Sequence, residues 1–139
     1  PEMVAGRTVL DFGAGSGLVG IAAARAGAAR IHAIEPDPVG QVALRLNAEA
    51  NGVELALWTG ADLPEVDVVL AGDVFYSPEM AALSLPQLAE AARCGAKVLI
   101  GDPFRRDLPL EHLDLLVEYQ VADMGGSGPI RAGVFALRR

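Results

Sequence analysis

The chain has little cysteine, histidine, aromatic content or positive charge. Cys94 is its one cysteine, so no internal disulfide can form, and a reducing compartment such as the cytoplasm is expected. His32 and His112 have no histidine or cysteine at metal-ligand spacing, so no metal site is predicted. No apolar run approaches the ~18 residues of a membrane span. A net charge of -7 disfavours broad nucleic-acid binding and suits a basic protein partner.

What the chain does contain is a large hydrophobic fraction in alternating segments. Hydrophobic residues make up 52% of the 139 residues, which indicates one packed domain over residues 1–139. Strand-like runs alternate with helix-like runs, which predicts a Rossmann-like, doubly wound α/β fold with a mainly parallel sheet. The predicted strands cover residues 8–12, 31–35, 54–58, 66–71 and 97–101, and the predicted helices cover residues 18–26, 38–51 and 78–94.

The C-terminal part departs from this alternation. A short helix is predicted over residues 110–116, followed by strands over residues 117–124 and 130–137. The link over residues 125–129 is too short for a parallel crossover, which needs a dozen or more residues, so the two strands should pair antiparallel. We therefore expect a seven-stranded sheet with one antiparallel strand near the C-terminus.

A glycine-rich turn follows the first predicted strand. A turn with little side-chain bulk before a helix N-terminus is typical of a nucleotide-type cofactor site. Four residues of the turn are predicted to bind the cofactor: Gly13, Ala14, Gly15 and Gly17.

Asp11, at the end of the first strand, indicates which cofactor the turn binds. Its carboxylate would crowd a pyrophosphate but could bind an ammonium group, which S-adenosylmethionine carries. We therefore predict S-adenosylmethionine as cofactor and S-adenosylhomocysteine as product. The alternative is a dinucleotide-dependent oxidoreductase, because residues 15–20 also fit Gly-x-Gly-x-x-Gly. Those glycines lie too far past the strand end, which disfavours this alternative.

Residues after the second and third strands extend the predicted cofactor site. Glu35 lies twenty residues beyond Gly15, where an acid can bind ribose hydroxyls, and Pro36 fixes the chain after it. The structural alternative is that Glu35 is an exposed acid at a strand end. Trp58 and Asp62 could line an adenine pocket, and a purely structural role for each stays open.

The fourth strand ends in a run that predicts the acceptor site. Ligands bind at the carboxyl ends of the strands in an open parallel sheet, so Asp73, Phe75 and Tyr76 should lie beside the cofactor. An acid with two aromatic rings suits a cationic or amine acceptor. The alternative makes Asp73 a helix cap and Phe75 a core residue. Asp102 follows the fifth strand as a second rim acid or a loop residue, and Arg105 is predicted to lie in a solvated turn.

Together these motifs resemble a known enzyme class. Leu10-Asp-Phe-Gly-Ala-Gly-Ser-Gly17 and Ala33-Ile-Glu-Pro-Asp37 are similar to the first two motifs of seven-stranded class I methyltransferases. More narrowly, Leu70-Ala-Gly-Asp-Val-Phe-Tyr76 and Val98-Leu-Ile-Gly-Asp-Pro103 resemble the protein-lysine methyltransferases that modify the β subunit of electron transfer flavoprotein, and their bacterial relatives. Ser77 departs from that family, which has a second acid there.

The resemblance implies an S-adenosylmethionine-dependent protein-lysine N-methyltransferase. Its partner would be a protein with a lysine acceptor, such as the β subunit of electron transfer flavoprotein, and Asp73, Phe75 and Tyr76 would form the catalytic site. It also implies that a segment found before the first strand in family members is missing from this chain. Two alternatives stay open: transfer to another amine on a ribosomal protein or small molecule, and a degenerate domain that binds cofactor without transfer.

Overall fold

The structure, a computed structural model, describes residues 2–122 and 128–138. Within these residues seven strands form one sheet, in the order β3-β2-β1-β4-β5-β7-β6. The strands are β1 (Thr8–Phe12), β2 (Arg30–Ile34), β3 (Ala56–Leu57), β4 (Val68–Gly72), β5 (Lys97–Asp102), β6 (Leu113–Ala122) and β7 (Pro129–Leu137). The helices are α1 (Leu18–Arg25), α2 (Pro38–Ala50) and α3 (Pro78–Arg93), with one 3-10 turn at Leu110–His112.

The sheet is parallel from β3 to β5 and reverses at one strand. β7 pairs antiparallel with both β5 and β6, so it is the reversed strand. This confirms the predicted fold, a doubly wound α/β sheet that is mainly parallel with one antiparallel strand near the C-terminus. Chain order turns back between β1 and β4, which lie side by side. In open α/β sheets such a switch point creates a crevice at the carboxyl ends of the strands.

Helices pack on both faces of the sheet because its inner strands are hydrophobic on both sides. On one face, Ala23 of α1 packs with Val9 and Val68. On the other, α3 contributes Leu88 to the larger core cluster, which also contains Leu10. The central strands are thereby shielded from water, and the loops at their carboxyl ends extend from a rigid base.

Two predicted segments differ from the structure. The helix predicted over residues 110–116 is wrong, because the 3-10 turn ends at His112 and β6 begins at Leu113. Pairing of β6 with β7 overrides the local helical tendency there. β3 is limited to two residues, Ala56–Leu57, where a five-residue strand was predicted. Residues 123–127 lie outside the described residues. They include the last two residues of the strand predicted over residues 117–124 and the first three of the link predicted over residues 125–129.

None of the helices in the described part of the chain is long and apolar enough to cross a membrane. Those same residues hold no group of three or more His, Cys, Asp or Glu arranged to bind a metal ion.

Candidate active site

The glycine turn lies at the switch point, between the ends of β1 and β4. Gly13, Gly15 and Gly17 all have positive φ values, of 68°, 52° and 83°, which favour glycine. A Cβ at Gly13 would lie 3.0 Å from Val74 Cγ1 in the loop after β4, so the two loops touch. A Cβ at Gly15 would meet no atom within 4 Å in the part of the chain that the structure describes, so the turn faces open space at its middle.

Glu35 ties the glycine turn to the end of β2. Its Oε2 accepts a hydrogen bond from the Gly15 N–H at 2.6 Å, and its Oε1 accepts one from the Asp37 N–H at 2.8 Å. The Ala14 N–H donates to the Ile34 carbonyl at 2.9 Å. Glu35 is half-buried and Pro36 beside it is exposed. The structure therefore brings Glu35 onto the turn, with lone pairs left on both carboxylate oxygens.

Asp11 lies in β1, just before the same turn, and is only 1% exposed. Its Oδ2 accepts a hydrogen bond from the Gly20 N–H in α1 at 2.7 Å. Burial raises the pKa of Asp11 to about 6, against the lowering effect of that hydrogen bond and with a smaller raising effect from Glu35. The carboxylate therefore connects the end of β1 to the first turn of α1 and does not lie on the open rim.

Trp58 and Asp62 meet in the loop after β3. The Trp58 Nε1–H donates to the main-chain oxygen of Asp62 at 2.7 Å. The Trp58 ring also lies edge-on to His32, with 5.4 Å between the ring centroids. The hydrogen bond and the ring contact fix the indole, and the Asp62 residue is exposed. Because β3 neighbours β2, this loop extends from the same sheet edge as Glu35.

Asp73 forms a bidentate ion pair with Arg105, across the carboxyl ends of β4 and β5. Arg105 Nη2 donates to Asp73 Oδ2 at 2.6 Å, and Arg105 Nε donates to Asp73 Oδ1. Asp73 has a positive φ of 55°, and its carboxylate raises the pKa of Arg105. Arg105 is exposed, as predicted for a solvated turn, but its ion pair with Asp73 was not predicted.

Asp102 anchors the loop that carries Arg105. Its Oδ1 accepts a hydrogen bond from the Arg105 main-chain N–H at 2.6 Å. Its Oδ2 is buried without a partner among the described residues, and burial raises the pKa of this carboxyl. Of the two roles that the sequence left open, the structure shows the loop-building one.

The two aromatic residues after β4 are separated by burial. Phe75 is 0% exposed and packs in the main core cluster, so it takes the packing role and does not line the open rim. Tyr76 is 58% exposed and is free to contact a ligand. Ser77, where the resembling family has an acid, caps α3 by accepting a hydrogen bond from the Met80 N–H at 3.2 Å.

Sequence reasoning missed two groups of residues. Arg105 is separated from Asp73 by 32 positions. The sequence signal that could have found it is a positively charged residue shortly after β5, the strand that pairs with β4. Gly20 and Gly40 lie against the two site carboxylates. The signal for both was a glycine inside a predicted helix, where glycine is a poor helix former.

The site fits a cofactor with an ammonium group and ribose hydroxyls. The open space in front of Gly15 lies next to two carboxylates. Glu35 is bonded to the turn itself, and the buried Asp11 is bonded to the first turn of α1. Two phosphates would be repelled by Asp11 and Glu35. The residues present therefore suit S-adenosylmethionine better than a dinucleotide.

Comparisons with known structures place the fold in one class. A methyltransferase from Pyrococcus furiosus matches with a TM-score of 0.72 at 18% identity, covering 98% of this chain and 77% of that one. A Pyrococcus abyssi tRNA (uracil-54, C5)-methyltransferase in complex with S-adenosyl-L-homocysteine matches with a TM-score of 0.68 at 18% identity, covering 98% and 36%. The fold is that of Rossmann-like methyltransferases.

The family model for ribosomal protein L11 methyltransferase (PrmA) matches residues 2–74, more than half of the chain. The chain belongs to the ribosomal protein L11 methyltransferase (PrmA) family. This confirms the resemblance to methyltransferases predicted from the first two motifs.

Sequence relatives fall into two groups. The electron transfer flavoprotein beta subunit lysine methyltransferase of Xenopus laevis is 37% identical over 133 residues, covering 88% of this chain and 54% of that protein. The ribosomal protein L11 methyltransferase of Aeromonas hydrophila is 52% identical over 73 residues, covering 49% and 25%. The narrower resemblance is thus confirmed, and the chain spans about half the length of the flavoprotein-modifying relatives that it matches.

Proposed function

We propose that the chain is the core of an S-adenosylmethionine-dependent protein-lysine N-methyltransferase. The cofactor would supply an electrophilic methyl group on a sulfonium, and the protein's task is to align the acceptor and exclude water. The observation that carries the proposal is the glycine turn bonded to Glu35, with the buried Asp11 carboxylate bonded to the first turn of the helix that follows it.

On the cofactor side, each carboxylate has a separate role. Glu35 binds the ribose hydroxyls with the lone pairs that its bonds to Gly15 and Asp37 leave free. Asp11, ionised above about pH 6, attracts the ammonium group. Gly13, Ala14 and Gly17 shape the turn, and Trp58 with Asp62 lines the adenine side.

On the acceptor side, the amine must arrive without its proton. Deprotonating a lysine with a pKa of about 10.4 costs roughly 4.6 kcal/mol of free energy at pH 7. A lone Asp73 carboxylate would increase that cost by stabilising the ammonium form, but Arg105 pairs with it. Asp73 therefore orients the amine, Tyr76 covers it, and neither acts as general base.

The relatives favour a flavoprotein subunit over a ribosomal protein as substrate. The ribosomal protein L11 methyltransferases of Aeromonas hydrophila and Halorhodospira halophila match 49% and 70% of the chain, against 88% for the Xenopus laevis enzyme. The match to the Xenopus laevis enzyme extends over 133 residues and includes the acceptor-side loops. We infer that the acceptor is a lysine of the β subunit of electron transfer flavoprotein or a similar protein. The cytoplasmic location stays a prediction.

The decisive experiment is calorimetric titration of the chain with S-adenosylhomocysteine, followed by labelled-methyl transfer to electron transfer flavoprotein. We expect micromolar binding of S-adenosylhomocysteine, no binding of NADH, and label on the β subunit. Ribosomal protein L11 serves as the competing acceptor.

Each other result rejects a defined part of the proposal. Binding of NADH would show a dinucleotide enzyme. Label on L11 alone would move the acceptor to the ribosomal protein, and cofactor binding without any transfer would show a domain that binds without catalysing.

A further inference from the structure

Gly40 is the third residue of α2, and the sequence of the helix does not explain why this position is a glycine. Glycine is a poorer helix former than alanine, so helix propensity does not favour glycine there. Its backbone does not need glycine either, because Gly40 is absent from the residues with positive φ. The reason for glycine therefore lies in what surrounds the position.

The Glu35 side chain occupies the space that a Cβ at Gly40 would need. A Cβ built there lies 2.8 Å from Glu35 Cγ, 2.9 Å from Cδ and 3.1 Å from Oε1. Carbon atoms in contact separate by about 3.5–4.0 Å, so a methyl group and this side-chain position are incompatible.

Glu35 cannot move aside without losing its hydrogen bonds. Its two carboxylate oxygens accept from the Gly15 and Asp37 N–H groups at 2.6 and 2.8 Å. A shift that relieves a methyl group at residue 40 would therefore pull the carboxylate away from the glycine turn.

α1 repeats the arrangement with the other carboxylate. Gly20 is the third residue of α1, and a Cβ there would lie 2.9 Å from Asp11 Oδ2. The Gly20 N–H also donates to that oxygen. Both site acids are thus seated against a bare glycine in the first turn of the following helix.

We propose that Gly40 is a positioning residue that lets a glutamate, rather than the shorter aspartate, reach the Gly15 amide and present its carboxylate to the cofactor ribose. The inference rests on the proposed function for the identity of the ligand, but the seating of Glu35 against Gly40 concerns the protein alone. Glu35 and Gly40 should therefore behave as a coupled pair.

A double-mutant cycle with S-adenosylhomocysteine as probe tests this coupling. We expect Gly40→Ala to weaken binding about tenfold. Glu35→Asp should also weaken binding, because the shorter side chain falls short of Gly15. In the Glu35→Asp background, Gly40→Ala should cost less than twofold, because the atoms it collides with have withdrawn. Gly128→Ala, whose Cβ meets no atom of the described residues within 4 Å, is the control.

Amide hydrogen exchange gives a readout that does not need the ligand. The Gly15 and Asp37 amides should exchange roughly tenfold faster in Gly40→Ala than in the wild type, and at the wild-type rate in Gly128→Ala. Unchanged exchange in Gly40→Ala, or losses of affinity that simply add in the double variant, would overturn the inference. Failure of the wild type to bind S-adenosylhomocysteine would instead reject the proposed function, and exchange would still decide the role of Gly40.

Discussion

The two carboxylates of the cofactor site lie in different environments. Glu35 is half-buried and both its oxygens accept backbone hydrogen bonds. Asp11 is buried, and the largest effect on its pKa is desolvation, which raises it to about 6. A negative charge is thus held in the protein interior at neutral pH, at a cost to stability that a bound cation would offset.

Asp11→Asn should change how the stability of the unbound chain depends on pH. The pKa of Asp11 is about 6 in the folded state and 3.8 for an ordinary aspartate, so ionisation destabilises the folded state as pH rises from about 4 through 6. We expect the free energy of unfolding of the variant, relative to wild type, to increase by about 2–3 kcal/mol between pH 4 and pH 7. Urea denaturation at several pH values measures it.

Asp67→Asn is the control, because the exposed Asp67 carboxylate also accepts a backbone N–H, from Thr8 at 2.8 Å. Removing its charge relieves little desolvation.

In binding experiments, Asp11→Asn should also weaken the binding of S-adenosylhomocysteine about fivefold at pH 7.5. The variant should not show the loss of affinity that we expect for the wild type below pH 6. Parallel stability curves for wild type and Asp11→Asn would contradict this account.

The secondary-structure elements were predictable where hydrophobic runs are bounded by glycine or proline. β1 has the predicted bounds, and α2 and α3 begin at the predicted prolines, Pro38 and Pro78. The helix at residues 110–116 was wrong because pairing with a distant strand decided that segment. For the same reason the sequence predicted Asp73 at the rim but missed Arg105, whose partner is set by strand order.

The loop after β5 sets the charge of the acceptor site through Arg105. Asp73→Ala should abolish methyl transfer while S-adenosylhomocysteine affinity stays within about twofold of wild type.

Arg105→Ala leaves the Asp73 carboxylate unpaired, so that carboxylate stabilises the ammonium form of the incoming lysine. We therefore expect transfer at pH 7.5 to fall about tenfold and the pH profile of kcat/KM to move up by about one unit.

Arg106→Ala removes the neighbouring exposed cation and is the matched control for net charge. Its pH profile should coincide with that of the wild type. If Arg105→Ala shows an unshifted profile with only a raised KM, Arg105 contributes to substrate docking and not to the protonation state of the acceptor.

The cofactor site exists only when the full parallel sheet has formed. Its residues come from the ends of β1 and β2, and the turn also contacts Val74 beyond β4. Sequence patterns placed these loops on one edge because parallel strands share a direction, but the contacts between them depend on strand order. A ligand that binds this site therefore has nothing to bind in the unfolded chain.

Thermal unfolding with and without ligand tests this dependence. At one hundred times its dissociation constant, S-adenosylhomocysteine should stabilise the fold by about 2.7 kcal/mol, which raises Tm by roughly 8 °C for a chain of this size. The shift should be larger at pH 7.5 than at pH 5.5, because Asp11 is ionised at the higher pH and attracts the ammonium group. NADH at equal concentration should leave Tm unchanged, since its two phosphates would face Asp11 and Glu35. An equal shift at both pH values would remove Asp11 from ammonium binding, and a shift with NADH would reject the electrostatic basis of cofactor choice.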